Sequence, residues 1–267
     1  PVLFVHYGAS EHLPLAFLQA QKFNALIALL RDAKGVRQKI LGGDDAFLAP
    51  DPNETEFAKL YEHLSRNHHS FELQCIARWF ALRDYLTNAH FEQCLYLDSD
   101  VLLYANAQTE WEYYKQFDFT LCLGTTGHTS FWTRAALEQF CEFVTRIYRD
   151  RDVKYQELER IFHEMLAQDL AGGVSDMLLL KMFREQTALK VGEMCEVREG
   201  ATWDHNLNVA DGFDLDGAGI KQIEFHSSMP YGTYRARQGN FAIAWQVRFK
   251  SLHFQGGAKR LMGEYAK

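Results

Sequence analysis

An apolar run that ends in two carboxylates constrains this chain more than any other feature. The run 94–97 (Cys-Leu-Tyr-Leu) is typical of a buried strand, and Asp98 and Asp100 follow it directly. In extended chain two such carboxylates point to one side, about 7 Å apart. Two carboxylates beside an apolar strand cost free energy unless a cation or polar partners compensate their charge. Hard divalent cations prefer such oxygen ligands. Ligands also collect at the carboxyl edge of an α/β sheet, so we expect a metal or phosphate site here.

Two other Asp-x-Asp triplets lack this context. The triplet 150–152 lies among charged residues, which indicates a solvated surface. The segment 211–217 resembles a calcium loop, but an EF-hand in this register would need a glutamate where Ile223 stands. We interpret that segment as an Asp/Gly turn. The preceding strand, and not the triplet itself, therefore singles out Asp98 and Asp100.

Length, charge and cysteine usage narrow the class of protein. The 267 residues suffice for one large α/β domain, and a formal net charge of −7 argues against a nucleic-acid-binding surface. We see no transmembrane segment, although peripheral attachment to a membrane stays an open alternative. Five widely spaced cysteines without a C-x-x-C pattern predict reduced thiols in an intracellular, cytoplasmic protein, with the inner face of the membrane as an alternative location. The chain begins at Pro1 without a signal peptide or an initiator methionine, so we expect a trimmed chain or an excised domain.

Strand and helix patterns alternate over the first two thirds of the chain, and turn-rich sequence follows. The run 26–30 is ambiguous between a helix and a strand. We predict strands at 3–5, 39–41, 94–97, 119–123, 220–225 and 242–249, and helices starting near Pro14 and at 53–64, 70–86, 133–148, 153–170 and 175–183. This alternation predicts an α/β fold with a mainly parallel central sheet and helices on both faces, in a single domain.

A second informative segment lies close to the C-terminus. It places His253, the pair Gly256-Gly257 and Lys259 within seven residues. The imidazole could be the third ligand of a cation held by the acidic pair. The glycines would let backbone N–H groups approach phosphate oxygens, and the lysine would supply a positive charge for a diphosphate. The alternative is a C-terminal turn with an incidental histidine and an exposed lysine. The presence of the acidic pair favours the site.

Together the two segments resemble a known family. Y-L-D-S-D at 96–100 and H-F-Q-G-G-A-K at 253–259 resemble two motifs of GT-A-fold glycosyltransferases, most closely those of the family 8 type. Arg78, on the helix before the acidic pair, extends the match, because similar enzymes place an arginine near the donor. The proline-tryptophan pair that often follows the lysine is Arg260-Leu261 here. This departure leaves the exact family and the stereochemical outcome open.

The resemblance implies a GT-A fold and a metal-dependent hexosyltransferase. Such an enzyme moves a sugar from a nucleotide diphosphate sugar, with UDP as the expected nucleotide, to a hydroxyl of a glycan or glycoconjugate, with retention favoured. It implies a donor half at about 1–125, an acceptor half at about 126–250 and a C-terminal metal and diphosphate loop at 251–260. It further implies that Mn²⁺ or Mg²⁺ is bound by Asp98, Asp100 (also catalytic) and His253, and that the donor contacts Tyr7, Gly8, Arg78, Ser99, Gly256, Gly257 and Lys259.

The middle of the chain should carry acceptor recognition. Ser130 and Trp132 follow a predicted strand, and the indole could stack on a sugar ring, or the segment could be a helix entry with core aromatics. Asp176 follows a glycine pair and could contact the acceptor hydroxyl, act as a base in an inverting reaction, or only cap a helix. The segment 204–206 (Asp-His-Asn) is a weaker candidate for the rim of the site.

Two rival functions stay open at this point. An Asp-x-Asp motif after an apolar strand also resembles the first motif of haloacid-dehalogenase-type phosphatases, in which Asp98 would be the nucleophile. The third hypothesis is a non-catalytic sugar-binding module with the same fold. The sequence specifies neither the donor sugar, the acceptor and linkage, nor the oligomeric state.

Overall fold

A computed structural model describes residues 1–33, 46–238 and 241–267. Its strands are β1 Val2–His6, β2 Ile27–Arg31, β3 Ala46–Leu48, β4 Gln93–Leu97, β5 Val101–Leu103, β6 Phe119–Leu121, β7 Thr129–Thr133, β8 Val191–Glu193, β9 Ala201–Thr202, β10 Glu224–His226, β11 Met229–Gln238, β12 Phe241–Phe249 and β13 Ser251–His253. Its α-helices are α1 Leu13–Gln21, α2 His69–Asn88, α3 Ala107–Tyr114, α4 Arg134–Asp150, α5 Val153–Ala167, α6 Asp176–Gln186 and α7 Met262–Tyr265. Short 3₁₀ helices cover Pro52–Glu54, Phe57–Lys59 and Gly256–Leu261.

Seven strands form the central sheet, in the order β3-β2-β1-β4-β7-β6-β8. The pairs among β3, β2, β1 and β4 are parallel, as is the pair of β6 with β8. Among the strands of this sheet within the described residues, only β7 runs antiparallel to its neighbours. The predicted mainly parallel sheet is therefore confirmed, and its inner strands β1, β2 and β4 are largely apolar because both of their faces are buried.

Helices cover both faces of this sheet, as predicted. On one face α2 and α4 pack through large aromatic side chains, among them Trp79 and Phe140. On the other face α1 and the β5–β13 pair enclose a second cluster that includes Phe4 and Leu97. Apolar side chains on alternating sides of the strands supply both clusters.

A two-stranded pair brings the C-terminal segment to the acidic pair. Strand β5 starts just after Asp100 and runs antiparallel to β13, with Val101 opposite His253. A further sheet, in the order β10-β11-β12-β9, is built on the antiparallel hairpin of β11 and β12. Two segments that lie about 150 residues apart in sequence thus meet at the carboxyl end of β4.

Several local predictions need correction. The ambiguous run 26–30 is a strand, and the predicted strand 39–41 lies outside the described residues. The predicted helix at 53–64 is wrong, because Thr55 has an extended backbone that separates two 3₁₀ turns. Strands β7 and β11 were not predicted. All five cysteines are free, as expected. Within the described ranges we find no helix with the length and apolar character that crossing a bilayer requires.

Candidate active site

The acidic pair lies in a turn and not in extended chain. Strand β4 ends at Leu97, and the amide of Val101 donates to the carbonyl of Asp98 at 3.1 Å. The amide of Phe254 donates to the carbonyl of Asp100, which fixes the end of the turn. The turn directs each of the two carboxylates to a different set of partners.

Asp98 belongs to a network with Arg78 and Tyr96. Its Oδ1 accepts hydrogen bonds from Arg78 Nη1 at 2.7 Å and from the Tyr96 hydroxyl, which lies two residues earlier on the same side of β4. Burial alone would raise the pKa of Asp98, but the guanidinium, the Tyr96 hydroxyl and two nearby histidines outweigh it and lower that pKa. Asp98 is thus held as a carboxylate.

Arg78 also binds Asp176, the first residue of α6. Its Nη2 donates to Asp176 Oδ2 at 2.5 Å, and the indole N–H of Trp79 donates to the same oxygen at 3.0 Å. Asp176 is buried, and it lies inside the helix and does not cap it, because Ser175 is the N-cap residue. The structure therefore brings Asp176 and Asp98 to one guanidinium.

Asp100 faces the C-terminal segment. Its Oδ2 lies 2.9 Å from the ammonium nitrogen of Lys259, and its Oδ1 lies 3.6 Å from Nε2 of His253. This Oδ1 is buried and has no hydrogen-bond partner. The predicted association of Asp100, His253 and Lys259 is therefore present as a set of side-chain contacts.

The second ring nitrogen of His253 is already engaged. Its Nδ1 lies 2.6 Å from the carbonyl oxygen of His205, which can only accept, so Nδ1 carries the proton. The imidazole of His128 stacks on that of His253 with ring centroids 3.9 Å apart. Burial, together with His253, lowers the pKa of His128 well below its ordinary value. The imidazole of His253 thereby turns its Nε2 toward Asp100.

Two atoms of this cluster are of the kind that bind a divalent cation. A buried carboxylate oxygen without a hydrogen-bond partner faces an imidazole nitrogen, and Mn²⁺ accepts both types of ligand. Within residues 1–33, 46–238 and 241–267, no three His, Cys, Asp or Glu side chains form a group arranged to hold a metal. The third predicted ligand, Asp98, already has partners, since Arg78 and Tyr96 hold its Oδ1. Two of the three predicted ligands therefore fit a metal site as they stand.

The other predicted donor residues lie around the same sheet edge. Tyr7 and Gly8 follow β1 and are half-buried, and the amide of Gly8 donates to Asp32 Oδ1 at 2.9 Å. Burial raises the pKa of the Tyr7 hydroxyl, which stays neutral. Ser99 is half-buried in the turn of the acidic pair.

The glycine pair of the C-terminal loop is open to solvent. Gly256 has a φ of +58°, a conformation that favours glycine, and a Cβ atom at Gly256 or Gly257 would meet nothing within 4 Å. Backbone amides in this stretch are therefore approachable by a ligand, which the predicted diphosphate contact requires.

Two predicted acceptor residues are core residues instead. Ser130 and Trp132 are completely buried in β7, where the indole stacks on Phe119 and donates to the Ser130 hydroxyl at 2.8 Å. Because β7 is an inner strand of the sheet, neither side chain has a surface that a sugar could touch. The core-aromatic alternative describes this segment.

Sequence reasoning missed part of the site. Tyr96 and His128 were not singled out, although Tyr96 lies only two residues before Asp98. Asp204 was placed at the rim, but it is buried behind His253, whose amide donates to Asp204 Oδ2 at 3.0 Å. Its partner Lys221 carried no signal in the sequence.

Comparison with known proteins supports the fold. No protein-family model and no curated protein matches the sequence. Among solved structures, the chain is similar to mouse xyloside xylosyltransferase 1 in its apo form, with a TM-score of 0.52 at 9% identity, over 75% of this chain and 86% of that one. It is also similar to the galactosyltransferase LgtC in complex with donor and acceptor sugar analogs, with a TM-score of 0.51 at 13% identity, over 99% and 94% of the two chains. At these identities the likeness shows the fold, which is the predicted GT-A fold.

Proposed function

We propose that this chain is a metal-dependent glycosyltransferase. It transfers a sugar from a nucleotide diphosphate sugar, with UDP as the expected nucleotide, to a hydroxyl group of a glycan or glycoconjugate. The GT-A fold shared with a xylosyltransferase and a galactosyltransferase supports this class of reaction. A site that collects two aspartates, a histidine and a lysine at the carboxyl edge of the sheet supports it independently.

One observation carries the proposal. The buried Oδ1 of Asp100 has no hydrogen-bond partner, and the atom that faces it is Nε2 of His253. A buried polar atom without a partner is uncommon in a native protein, and its cost is removed when a ligand binds. A cation between these two groups satisfies both.

The metal would be Mn²⁺ or Mg²⁺, held by Asp100 and His253 with Asp98 as the third ligand. When bound, it would supply positive charge to the leaving diphosphate of the donor. The side chain of Lys259 is 40% exposed, and its ammonium lies beside Oδ2 of Asp100. The ammonium can therefore pair with a diphosphate oxygen. The open amides at Gly256 and Gly257 provide further fixed donors. We assign the nucleotide pocket to Tyr7 and Gly8, with Ser99 and Arg78 beside the phosphates.

Asp176 marks the acceptor side of the site. Its Oδ2 already accepts hydrogen bonds from Arg78 and Trp79, so this oxygen is occupied by two protein donors. We therefore assign it a hydrogen bond to the acceptor or the transferred sugar and favour a retaining reaction, in which the leaving phosphate assists. A base role for Asp176 in an inverting reaction is the alternative, and the anomeric configuration of the product distinguishes them.

The fold weighs against the phosphatase alternative. The haloacid-dehalogenase motif belongs on an early strand, whereas Asp98 follows β4 in a fold shared with glycosyltransferases. Hydrolysis of p-nitrophenyl phosphate that depends on Asp98, without binding of any nucleotide sugar, would restore that alternative.

The test is a thermal-shift panel of nucleotide sugars with and without Mn²⁺, followed by a nucleotide-release assay on the ligands that bind. A ligand that binds only the native state raises the midpoint of unfolding. We expect at least one UDP-sugar to raise it only when Mn²⁺ is present, and to release UDP faster when an acceptor glycan is added. Binding without any turnover would favour the sugar-binding module, and no binding by any nucleotide sugar would refute the proposal.

A further inference from the structure

The side chain of Lys221 lies in the interior behind the candidate metal site. Its ammonium nitrogen lies 2.6 Å from Asp204 Oδ1, 2.9 Å from Asp211 Oδ2 and 3.0 Å from the carbonyl oxygen of Asn206. An ammonium has three N–H donors, and each of them has one acceptor here. The side chain is only 1% exposed, so this lysine serves no surface role.

The loop formed by residues 204–207 holds His253 through three hydrogen bonds. The backbone amide of His253 donates to Asp204 Oδ2, and its carbonyl oxygen accepts from the amide of Leu207 at 2.9 Å. Its ring Nδ1 donates to the carbonyl oxygen of His205. The amide of Lys221 in turn donates to the carbonyl of Leu207 at 2.9 Å, so the lysine is tied to this loop by its backbone as well.

The stacked partner of His253 depends on this loop too. Nε2 of His128 lies 3.2 Å from the carbonyl oxygen of Asp204 and donates to it. The carbonyl oxygens of two successive residues, Asp204 and His205, therefore fix the proton positions on both stacked imidazoles. Any movement of residues 204–206 would change both rings together.

A buried ammonium is tolerated only with strong partners. Burial by itself would lower the pKa of Lys221, but the charges and hydrogen bonds of Asp204 and Asp211 outweigh it and raise that pKa. The lysine therefore stays charged and locks one conformation of the loop. Removing one partner of a buried pair costs more than the pair contributes, since the other charge is left uncompensated.

We propose that Lys221 is a positioning residue for the metal site, because its ammonium holds residues 204–206 so that His253 keeps its proton on Nδ1 and presents Nε2 to Asp100. The expected effect on metal binding rests on the proposed function, but the tautomer of His253 is a property of the protein without metal or substrate. Partners that orient a metal-binding histidine commonly change metal affinity 10–100-fold when they are removed.

The test compares the ring nitrogens of His253 by ¹⁵N NMR in metal-free wild-type protein, Lys221→Met and the double variant Lys221→Met/Asp204→Asn. The double variant replaces the buried charges by a neutral pair and keeps an oxygen for the His253 amide, so it guards against simple unfolding. Lys250→Met is the matched control, because Lys250 is also buried and paired, with Glu110 at 2.5 Å, but does not contact residues 204–206. His253→Gln assigns the signals.

We expect the Nδ1–H form in the wild type and the Lys250 control, and a mixture of tautomers in both Lys221 variants. The dissociation constant for Mn²⁺ alone should rise about 10-fold or more in those variants. An unchanged Nδ1–H form with unchanged Mn²⁺ affinity in the folded double variant would overturn the role of Lys221. Absence of nucleotide-sugar binding by the wild type would instead overturn the proposed function and leave the tautomer result standing.

Discussion

Nε2 of His253 faces Oδ1 of Asp100 at 3.6 Å, and that oxygen has no other partner. His253 is the last residue of β13, and Asp100 lies in the turn just before β5. Because β5 and β13 pair with each other, their backbone hydrogen bonds set the distance between the two side chains. Three substitutions follow as a test of whether this pair is a metal site.

Removing a residue that only orients a metal ligand commonly weakens metal binding by about 10–100-fold, and removing a ligand itself should cost no less. Asp100→Asn and His253→Ala should therefore each weaken Mn²⁺ binding by at least about 100-fold. Asp150→Asn is the matched control, since Asp150 begins a solvated Asp-x-Asp triplet and pairs only with Arg149. Electron paramagnetic resonance of free Mn²⁺ measures the affinity. Equal affinities in all four proteins would show that this pair binds no metal.

Arg78 should contribute strongly to stability, because it compensates Asp98 and the buried Asp176 together. Arg78→Met leaves both carboxylates without their cation, and we expect a loss of about 3 kcal/mol in the free energy of unfolding. The control is Arg83→Met on the same helix, whose partner Asp84 is half exposed and whose loss should cost less than about 1 kcal/mol. Urea denaturation measures both. Similar losses in the two variants would contradict the bridging role.

Gly173 should be intolerant of a side chain although it precedes a candidate site residue. A Cβ atom there would lie 2.4 Å from the carbonyl oxygen of Leu64 and 2.4 Å from Cα of Ser65, and backbone cannot move aside easily. We expect Gly173→Ala to cost about 1–3 kcal/mol of stability and to reduce turnover by moving Asp176. Gly217→Ala, where a Cβ meets nothing within 4 Å, should change stability by less than about 0.5 kcal/mol. Equal melting temperatures would show that the loop adapts.

The stability of the protein should fall in mild acid because of His128. Its pKa in the folded state lies well below the ordinary value of about 6.5 that it has when unfolded. Below that pH the unfolded chain binds a proton that the folded protein does not, so the free energy of unfolding decreases by up to about 1.4 kcal/mol per pH unit.

In His128→Gln the loss between pH 7 and pH 5 should be smaller than in the wild type. His6 also has a lowered pKa, owing first to burial, but it is present in both proteins and cancels in the difference. Urea titrations at several pH values measure the two slopes. Parallel pH profiles would mean that His128 takes up its proton in the folded state as readily as in the unfolded one.

The parts of the site that sequence could predict are those with local signals. Asp98 and Asp100 follow an apolar strand, and His253 and Lys259 share one short segment, so pattern and chemistry pointed to them without tertiary information. The turn that separates the two carboxylates was missed, because an extended backbone is the default expectation after a strand. The glycine pair before Asp176 suggested flexibility, whereas Gly173 is needed for a close approach of two backbone segments.

Burial and long-range pairing explain the rest. Trp132 has an aromatic ring of the kind that stacks on sugars, but it is buried against Trp79, Phe119 and Phe140. Lys221 looks like an ordinary surface lysine in the sequence, and only folding brings Asp204 and Asp211 around it. The single antiparallel strand in the sheet likewise depends on contacts that no local pattern encodes.

The most direct test of the account is the affinity of the wild-type protein and of Asp100→Asn for a UDP-sugar, measured by calorimetry with and without Mn²⁺. We predict that the wild type binds the donor at least about 10-fold more tightly with Mn²⁺, and that Asp100→Asn loses this difference while its melting temperature without ligand stays close to that of the wild type. Equal donor affinity with and without the metal in the wild type, or full metal dependence in Asp100→Asn, would contradict the account.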